Sequence, residues 1–288
     1  MGTVWASVGV RSEISALHRV VMEPPALGTS SRIDWRLANW DQPAQLSVAR
    51  EEHRAVAEAL TKNGVDVDYL GAEVQTPNLH FVQDLFAMTP LGAVVARPAS
   101  EIRAGEEVAV ARALAAMRVP IITTICGSGT FEGADLAYLS ANAALVAVGW
   151  RTNGEGRRQV EHALRISGIR PIRVSLPRTR RHLDEAVSIV DDDLALVSHD
   201  VSEDIKQALH RAGFELLQLP VESDSIHSRA INLIVVHRGL VVLPAGNPRL
   251  VEALSTRGIA AIEIAIPEIS KTGGGVHCLI GVLQRSDD

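Results

Sequence analysis

The sequence is poor in the features that mark disulfide-stabilised and nucleic-acid-binding proteins. It has only two cysteines, Cys126 and Cys278, which cannot form a disulfide framework, and aromatic residues make up 3% of the chain. Asp and Glu number 34 against 28 for Lys and Arg, so the formal net charge is −6 and no general basic surface for phosphates is expected. Few aromatic side chains are present on which bases could stack. We therefore expect no nucleic-acid partner.

Long apolar runs are also missing. No stretch approaches the roughly 18 apolar residues of a membrane-spanning helix, and Met1–Ser15 has no apolar segment of the signal-peptide kind. We expect no membrane partner, and the reducing cytoplasm is the expected compartment. With 288 residues, 47% of them hydrophobic and 22% charged, the chain has the composition of an ordinary globular protein.

Motifs for metals and phosphates are missing too. The ten histidines are scattered and the two cysteines lie far apart, so no metal site is predicted. The glycine-rich segment at 127–133 lacks the strand-to-helix context of a phosphate-binding loop.

What the sequence does contain is a pattern that recurs about every fifty residues. Four segments begin with a polar residue, run through an apolar strand, turn, and return through a second apolar strand. A fifth segment begins in the same way near the end of the chain. Successive leading residues are separated by 51, 49, 48 and 46 positions; they are Asp84, Asp135, Asp184, Asn232 and Cys278.

Each complete hairpin is followed by a predicted helix and another apolar strand, so the unit is strand–strand–helix–strand. With an earlier helix included, the predicted helices are Leu46–Lys62, Glu106–Met117, Gly154–Ile166, Ser202–Ala212 and Pro248–Arg257. Most of them stop at a glycine, which favours the left-handed conformation found just past a helix.

The last unit is one strand short, and the apolar strand Arg19–Met22 near the start of the chain can supply it. This predicts a closed ring of five α/β units, a single domain over residues 1–288. In such a ring the five leading residues meet near the axis. For Asp135 and Asn232 a simple turn or cap role is an equal alternative.

Cys278 is a candidate nucleophile at this meeting point. Such a cysteine is more often a small buried hydrophobic residue, but here three glycines precede it, and glycine lets the backbone approach a ligand closely. His182 and Asp184, two residues apart on a predicted strand, are expected to face the same way. The thiol, the imidazole and the carboxylate together favour nucleophilic catalysis.

Two further carboxylates extend this set. Glu132 lies three residues before a ring position, where it can orient His182, although a solvated loop carboxylate is the favoured alternative from sequence alone. Asp84 and Asp184 around one thiol would repel an anion and attract a cation, and a planar guanidinium suits paired carboxylates. For Asp84 a strand cap is the equal alternative.

Three arginines follow the first two hairpins and are candidates for binding a substrate carboxylate at the rim of the pocket, although any one of them can instead face solvent. They are Arg97, Arg103 and Arg151.

Six motifs in order over about two hundred residues resemble the pentein superfamily of guanidino-group-modifying enzymes. This superfamily includes dimethylarginine dimethylaminohydrolase, arginine deiminase and the amidinotransferases. The motifs are Phe81-Val-Gln-Asp84, Glu132-Gly-Ala-Asp135, Arg151-Thr-Asn-Gly-Glu-Gly156, His182-Leu-Asp184, Pro244-Ala-Gly-Asn-Pro-Arg249 and Gly273-Gly-Gly-Val-His-Cys278.

The resemblance implies a five-bladed α/β propeller with repeated units and pseudo-fivefold symmetry. It implies Cys278 as the nucleophile, His182 as general acid and base, and Glu132 as its partner. It further implies a small guanidino substrate and no cofactor, and leaves self-association into a homo-oligomer open. The implied substrate contacts are Asp84 and Asp184 for the guanidinium, and Arg151 with Arg97 or Arg103 for an α-carboxylate.

The implied activity is hydrolysis of arginine or N-methylated arginine to citrulline and ammonia or a methylamine. The compact length favours a dimethylargininase, but three positions depart from that pattern. Gln83 stands where those enzymes often have Glu, Asp184 where they have Lys, and Gly273 where an Asp is usual. An Asp84 and Asp184 pair suits a guanidine with more free N–H groups, so an unsubstituted guanidine fits as well.

Three alternatives stay open at this point. One is an amidinotransferase, the second a non-catalytic binding pentein, and the third a generic Cys–His–Glu amidohydrolase or peptidase. The chain keeps the Cys, His and Glu that a binding protein can lose, and the paired aspartates argue against a neutral amide substrate. Cys126 is interpreted as a structural thiol.

Overall fold

The computed structural model describes residues 4–26, 34–73, 76–219 and 229–286. In these ranges the chain forms five three-stranded sheets. The strands are β1 (Leu17–Met22), β2 (Asp66–Tyr69), β3 (Phe86–Thr89), β4 (Gly92–Val95), β5 (Ile121–Thr124), β6 (Leu136–Ser140), β7 (Ala143–Val148), β8 (Arg170–Ser175), β9 (Val187–Ile189), β10 (Leu194–Val197), β11 (Glu215–Gln218), β12 (Ile234–His237), β13 (Leu240–Pro244), β14 (Ala260–Ile264) and β15 (Gly281–Arg285). The helices are α1 (Leu46–Lys62), α2 (Glu106–Ala116), α3 (Gly154–Ile166), α4 (Glu203–Arg211), α5 (Pro248–Ser255) and α6 (Pro267–Lys271).

Every sheet has the same topology. Its first strand pairs antiparallel with the middle strand, and a helix then leads to a third strand that pairs parallel with the middle one. The sheets are β15-β1-β2, β3-β4-β5, β6-β7-β8, β9-β10-β11 and β12-β13-β14. The predicted strand–strand–helix–strand unit and its fivefold repeat are therefore confirmed.

The ring closes between the two ends of the chain. In the first sheet β1 pairs antiparallel with β15, placing Val20 opposite Val282, and parallel with β2. The strand predicted at Arg19–Met22 thus completes the unit that begins at Cys278. The middle strands β4, β7, β10 and β13 are apolar and largely buried, as expected for strands covered on both faces. The middle strand β1 differs in carrying an exposed His18 and a half-buried Arg19.

Local sequence explains where the helices begin and end. At the start of α3 the Asn153 side chain accepts a hydrogen bond from the Gly156 backbone N–H at 2.8 Å, which satisfies a donor that the helix leaves free. Past its end Gly168 has a φ of +77°, the left-handed conformation that favours glycine. Helices α1 and α3 have the predicted bounds, and α2, α4 and α5 differ from prediction only at their ends, whereas the short helix α6 was not predicted.

The residues that lead the hairpins do not sit on the strands themselves. Short 3₁₀ turns carry them into the first strand of four of the sheets, at Val82–Leu85, Gly133–Asp135, Leu183–Glu185 and His277–Leu279, and Asn232 lies in the loop before β12. The expectation that His182 and Asp184 share a face of an alternating strand is therefore wrong. His182 lies directly before its turn and Asp184 within it, so their relation is set by the tight turn.

These turns pack against one another near the ring axis. This contact is what brings residues about fifty positions apart into one site. Within the described ranges, no helix has the length and apolar character to cross a bilayer.

Candidate active site

A cavity of about 370 Å³ opens where the turns meet, and several predicted site residues line it. Its wall includes Cys278, His182, Asp84, Arg103 and Arg151. Five of the eight residues predicted from sequence therefore face one cavity.

The Cys278 thiol lies at the end of a short polar network. Its Sγ is 3.4 Å from Oδ1 of Asn232 and 3.6 Å from Oδ2 of Asp184, and its backbone N–H donates to the same Asn232 oxygen at 3.2 Å. The Asn232 amide donates to Asp184 Oδ2 at 3.0 Å, and His277 Nδ1 lies 3.0 Å from that oxygen. Asn232 thus holds both the cysteine and the aspartate. Asn232 is therefore part of the site, and its contacts go beyond the turn or cap role that was the equal alternative from sequence.

The His182 imidazole is held by a carboxylate that no solvent reaches. Nε2 of His182 lies 2.6 Å from Oε2 of Glu132, which is 0% exposed. The interpretation of Glu132 as a solvated loop residue is therefore wrong. Its buried position depends on Gly133, because a Cβ at that glycine would lie 2.2 Å from the Phe86 carbonyl oxygen.

The charges of this pair reinforce each other. Burial by itself raises the pKa of Glu132, but the hydrogen bond and charge of His182 outweigh it and hold that pKa at about 2. Burial lowers the pKa of His182, but the charge of Asp84 and the bond to Glu132 raise it to about 10. At neutral pH the pair is an imidazolium and a carboxylate, so His182 holds a proton that it can give to a leaving group.

The Cys278 thiol is in the opposite situation. Burial, followed by the charges of Asp184 and Asp84, raises the pKa of this thiol well above its ordinary value. The resting state is therefore a thiol, and a cation entering the cavity would favour the thiolate.

Both predicted guanidinium ligands have a carboxylate oxygen without a partner. Oδ1 of Asp84 and Oδ1 of Asp184 are buried and accept no hydrogen bond from the described residues. The two differ in position, because Asp84 lines the cavity whereas Asp184 lies beside the Cys278 sulfur and lines a neighbouring cavity with His277. Oδ1 of Asp84 is 3.8 Å from Nε2 of His182.

The three predicted arginines have three different environments. Arg103 is 3% exposed and its guanidinium is already paired with Asp84 and with Glu106, the latter at 2.7 Å. Arg151 lines the cavity with its side chain 16% exposed and with Nη1 3.7 Å from Glu132 Oε1. Arg97 is exposed, donates to the Gly127 carbonyl and is not among the residues lining the cavity. Of the two arginines that line the cavity, Arg151 has fewer close ion pairs than Arg103.

The glycines before Cys278 are packed against side chains of the site. A Cβ at Gly274 would lie 2.2 Å from the Phe81 ring, and one at Gly275 would lie 2.5 Å from Oδ1 of Asn232. These glycines let Phe81 and Asn232 come close to the loop that carries the thiol.

Sequence reasoning did not single out three polar residues of the site. Arg181 and Asn78 line the cavity, and His277 contacts Asp184. Two of them directly precede a predicted catalytic residue, Arg181 before His182 and His277 before Cys278. That adjacency was the available signal. Cys126, the other thiol, is exposed and lies outside this site.

One group of side chains has the spacing of a metal site. Asp84, Glu132 and His182 each offer an atom within 4.8 Å of the others. Their negative charges are already matched by cations, since Arg103 pairs with Asp84 and lies 3.7 Å from Glu132, and His182 bonds to Glu132. The arrangement therefore fits an ion-pair network better than a metal ion.

The comparison with known families decides between related penteins. The family model for N,N dimethylarginine dimethylhydrolases, described as eukaryotic, matches residues 30–285. The chain belongs to the dimethylarginine dimethylaminohydrolase family. Membership makes it a guanidino-modifying enzyme, a hydrolase of C–N bonds in linear amidines, and confirms the pentein resemblance.

Relatives of the chain include proteins of this family and one without an assigned role. The N(G),N(G)-dimethylarginine dimethylaminohydrolase of Pseudomonas aeruginosa is 29% identical over 232 residues, 80% of this chain and 87% of the relative. The uncharacterized protein YkgA of Bacillus subtilis is 24% identical over 284 residues, 96% of this chain and 95% of the relative.

Solved structures confirm the five-bladed α/β propeller. A dimethylarginine dimethylaminohydrolase, as its adduct with 4-chloro-2-hydroxymethylpyridine, has a TM-score of 0.78 at 26% identity and covers 94% of this chain and 100% of its own. An amidinotransferase of saxitoxin biosynthesis from Microseira wollei has a TM-score of 0.76 over 97% of this chain and 98% of its own. At 16% identity it shows the fold alone.

Proposed function

We propose that the protein hydrolyses the guanidino group of free arginine or N-methylated arginine, with Cys278 as nucleophile. The observation that carries this proposal is that the Cys278 thiol shares one cavity with the His182 imidazolium and Asp84 and lies 3.6 Å from Asp184. Each of the two aspartates has a buried oxygen that accepts no hydrogen bond from the described residues. A cationic guanidinium supplies the N–H donors those oxygens lack. A neutral amide substrate would offer these oxygens no charged donor.

The substrate's charge prepares the nucleophile. A guanidinium beside the carboxylates offsets the charges that raise the pKa of Cys278, so the thiol releases its proton to solvent when substrate is bound. The thiolate then attacks the central guanidino carbon and forms a C–S bond. His182 gives its proton to the departing amine, and that C–N bond breaks.

The second half of the reaction uses the same residues in reverse. Neutral His182 takes a proton from water as the water oxygen attacks the carbon of the amidino-thioether. The C–S bond breaks, and the second proton of the water returns to the departing Cys278 sulfur, which restores the resting thiol. The ureido product is citrulline when the substrate is arginine. Glu132 stabilises His182 whenever it carries the proton.

Arg151 is the side chain that we assign to the substrate α-carboxylate. Its guanidinium lines the cavity and is less occupied than that of Arg103, whose charge is matched by Asp84 and Glu106. We further propose that residues 1–288 act as one catalytic domain, which the closure of the ring through β1 and β15 supports.

The test is to measure ureido product from arginine, monomethylarginine and asymmetric dimethylarginine, each offered separately to the purified protein. We expect citrulline from at least one of them, and no citrulline from a Cys278→Ser variant. A Cys126→Ser variant removes the other, exposed thiol and is expected to keep full activity. Full activity of Cys278→Ser would refute the proposal, and ornithine without citrulline in the presence of an amine acceptor would instead indicate an amidinotransferase.

A further inference from the structure

Arg181, one residue before His182, places a further cation in the catalytic cavity. Its side chain lines the cavity together with Cys278 and is 30% exposed. Nothing in the proposed reaction gives this arginine a role.

The Arg181 guanidinium connects two loops of the site. Nη1 donates to the Gly273 carbonyl at 2.9 Å, at the start of the loop that leads to Cys278. Nη2 is paired with Asp41, which follows the turn that lines the cavity through Ala38 and Asn39.

Gly273 is shaped to receive this guanidinium. Its φ is +100°, and a Cβ there would lie 2.5 Å from Nη1 of Arg181. Any other residue at this position would be strained and would displace the arginine.

The charges around Cys278 give the arginine a second effect. Besides burial, the charges of Asp184, Asp84 and Glu185 raise the pKa of the thiol, and Arg181, which lines the same cavity, opposes these charges. Burial alone lowers the pKa of Arg181, but Glu185, Asp41 and the charge of Cys278 raise it, so the thiolate and the guanidinium stabilise each other. His277 is bonded to Asp184 and partly offsets that carboxylate.

We propose that Arg181 is a positioning residue that fixes the Gly273–Gly275 loop and favours the thiolate form of Cys278. This inference rests on the proposed role of Cys278 as nucleophile. Arg181 acts through the thiol and its loop, and it differs in this from Arg151, which we assign to the substrate.

The test uses a reagent that needs no turnover. Alkylation of Cys278 by iodoacetamide, which is uncharged, is followed against pH by mass spectrometry of the Cys278 peptide, so that Cys126 does not contribute. For Arg181→Gln we expect the midpoint of the alkylation rate against pH to rise by roughly one pH unit. At pH values below the midpoint, alkylation should then be about tenfold slower than in the wild type. For Arg181→Lys, which keeps the charge, we expect a smaller rise.

The matched control is Arg180→Gln, which removes the same charge one residue away. Arg180 pairs with Asp200 and is not among the residues lining the cavity, so its profile should coincide with that of the wild type. Coincident profiles for Arg181→Gln and the wild type, or an equal shift for Arg180→Gln, would overturn the proposal.

A second variant keeps Arg181 and tests the proposal even if the Arg181 variants fail to fold. Asp41→Asn removes the carboxylate that offsets the arginine, so the midpoint should move to lower pH, and a rise would contradict the proposal. The two proposals also fail separately. No citrulline together with the expected shift would refute the proposed function alone, and normal citrulline formation without the shift would refute only the role of Arg181.

Discussion

Nε2 of His182 lies 2.6 Å from Oε2 of Glu132, and the two side chains are 8% and 0% exposed. A hydrogen bond between buried opposite charges is strong but leaves an uncompensated charge when one partner is removed. It therefore keeps the imidazole protonated and in one orientation, as an acid for a leaving amine requires.

Replacing Glu132 by Gln should lower kcat by roughly a hundredfold or more, because the amide keeps the size of the side chain but not its charge. The pKa of His182, measured by NMR titration, should fall from about 10. Glu155→Gln, on the partly exposed N-terminal turn of α3, is the control and should be close to wild type. A wild-type kcat in Glu132→Gln would contradict the assigned role.

The same pair gives stability a defined pH dependence. The pKa of His182 is raised from 6.5 to about 10, so its contribution to stability is complete below about 6.5 and is lost as the pH rises through about 10. The pKa of Glu132 is lowered to about 2, so its contribution is present above about 4.5 and is lost as the pH falls through about 2.

The test compares the Cys278→Ser variant, in which the thiol cannot titrate, with the double variant Cys278→Ser/His182→Asn. Between pH 8 and 11, Tm should fall more in the variant that keeps His182. We expect the difference to be at least about 2 °C. Parallel Tm curves over this range would show that the pKa of His182 is not raised.

Asp184→Asn should change thiol reactivity and turnover in opposite directions. The carboxylate raises the pKa of Cys278, so its removal should speed alkylation by iodoacetamide at a fixed neutral pH. Hydrolysis of arginine should slow by about tenfold or more, because the guanidinium loses a charged acceptor. If both rates fell, Asp184 would be needed mainly for the structure of the site.

Arg151→Gln should raise KM for arginine by about tenfold or more, since a carboxylate loses a charged partner. A guanidine without a carboxylate should show no comparable rise. Arg97→Gln, which changes an exposed arginine outside the cavity lining, is the control and should leave KM unchanged. Equal effects of the two variants would remove Arg151 from the substrate site.

Closure of the ring through β15 can be tested by measuring the free energy of unfolding of variants in this strand. Leu283 is 0% exposed in the middle of this strand, so Leu283→Ala should lower the free energy of unfolding by about 2–5 kcal/mol. The neighbouring Gln284→Ala is the control, because that side chain only reaches Ser7 at the surface, and a change within about 0.5 kcal/mol is expected.

Much of the fold was predictable because it is coded locally and repeatedly. The apolar hairpins and the glycines after the helices recur with one period, and the bounds of α1 and α3 follow from the sequence. The approach of Asp184 and Asn232 to Cys278 followed from the ring, because equivalent positions of its units meet at the axis.

The environment of each side chain was not predictable in this way. Arg103 looked like a rim residue, but its pairing with Asp84, 19 positions away, depends on how the first hairpin packs. Glu132 looked solvated because nothing local shows that Gly133 packs against the Phe86 carbonyl. Such contacts form only when the blades are assembled. For this reason Arg181, Asn78 and His277 could be assigned to the site only from the structure.

The most direct measurement is the mass of the protein after rapid acid quenching during turnover. Nucleophilic attack by Cys278 predicts a transient adduct on the Cys278 peptide equal to arginine less ammonia. Asymmetric dimethylarginine, where it is a substrate, should give the same mass, because the methylated amine is the group that leaves. The adduct should be missing in Cys278→Ser and retained in Cys126→Ser. Citrulline formation at full rate with no adduct on Cys278, or with the adduct on another residue, would contradict the mechanism.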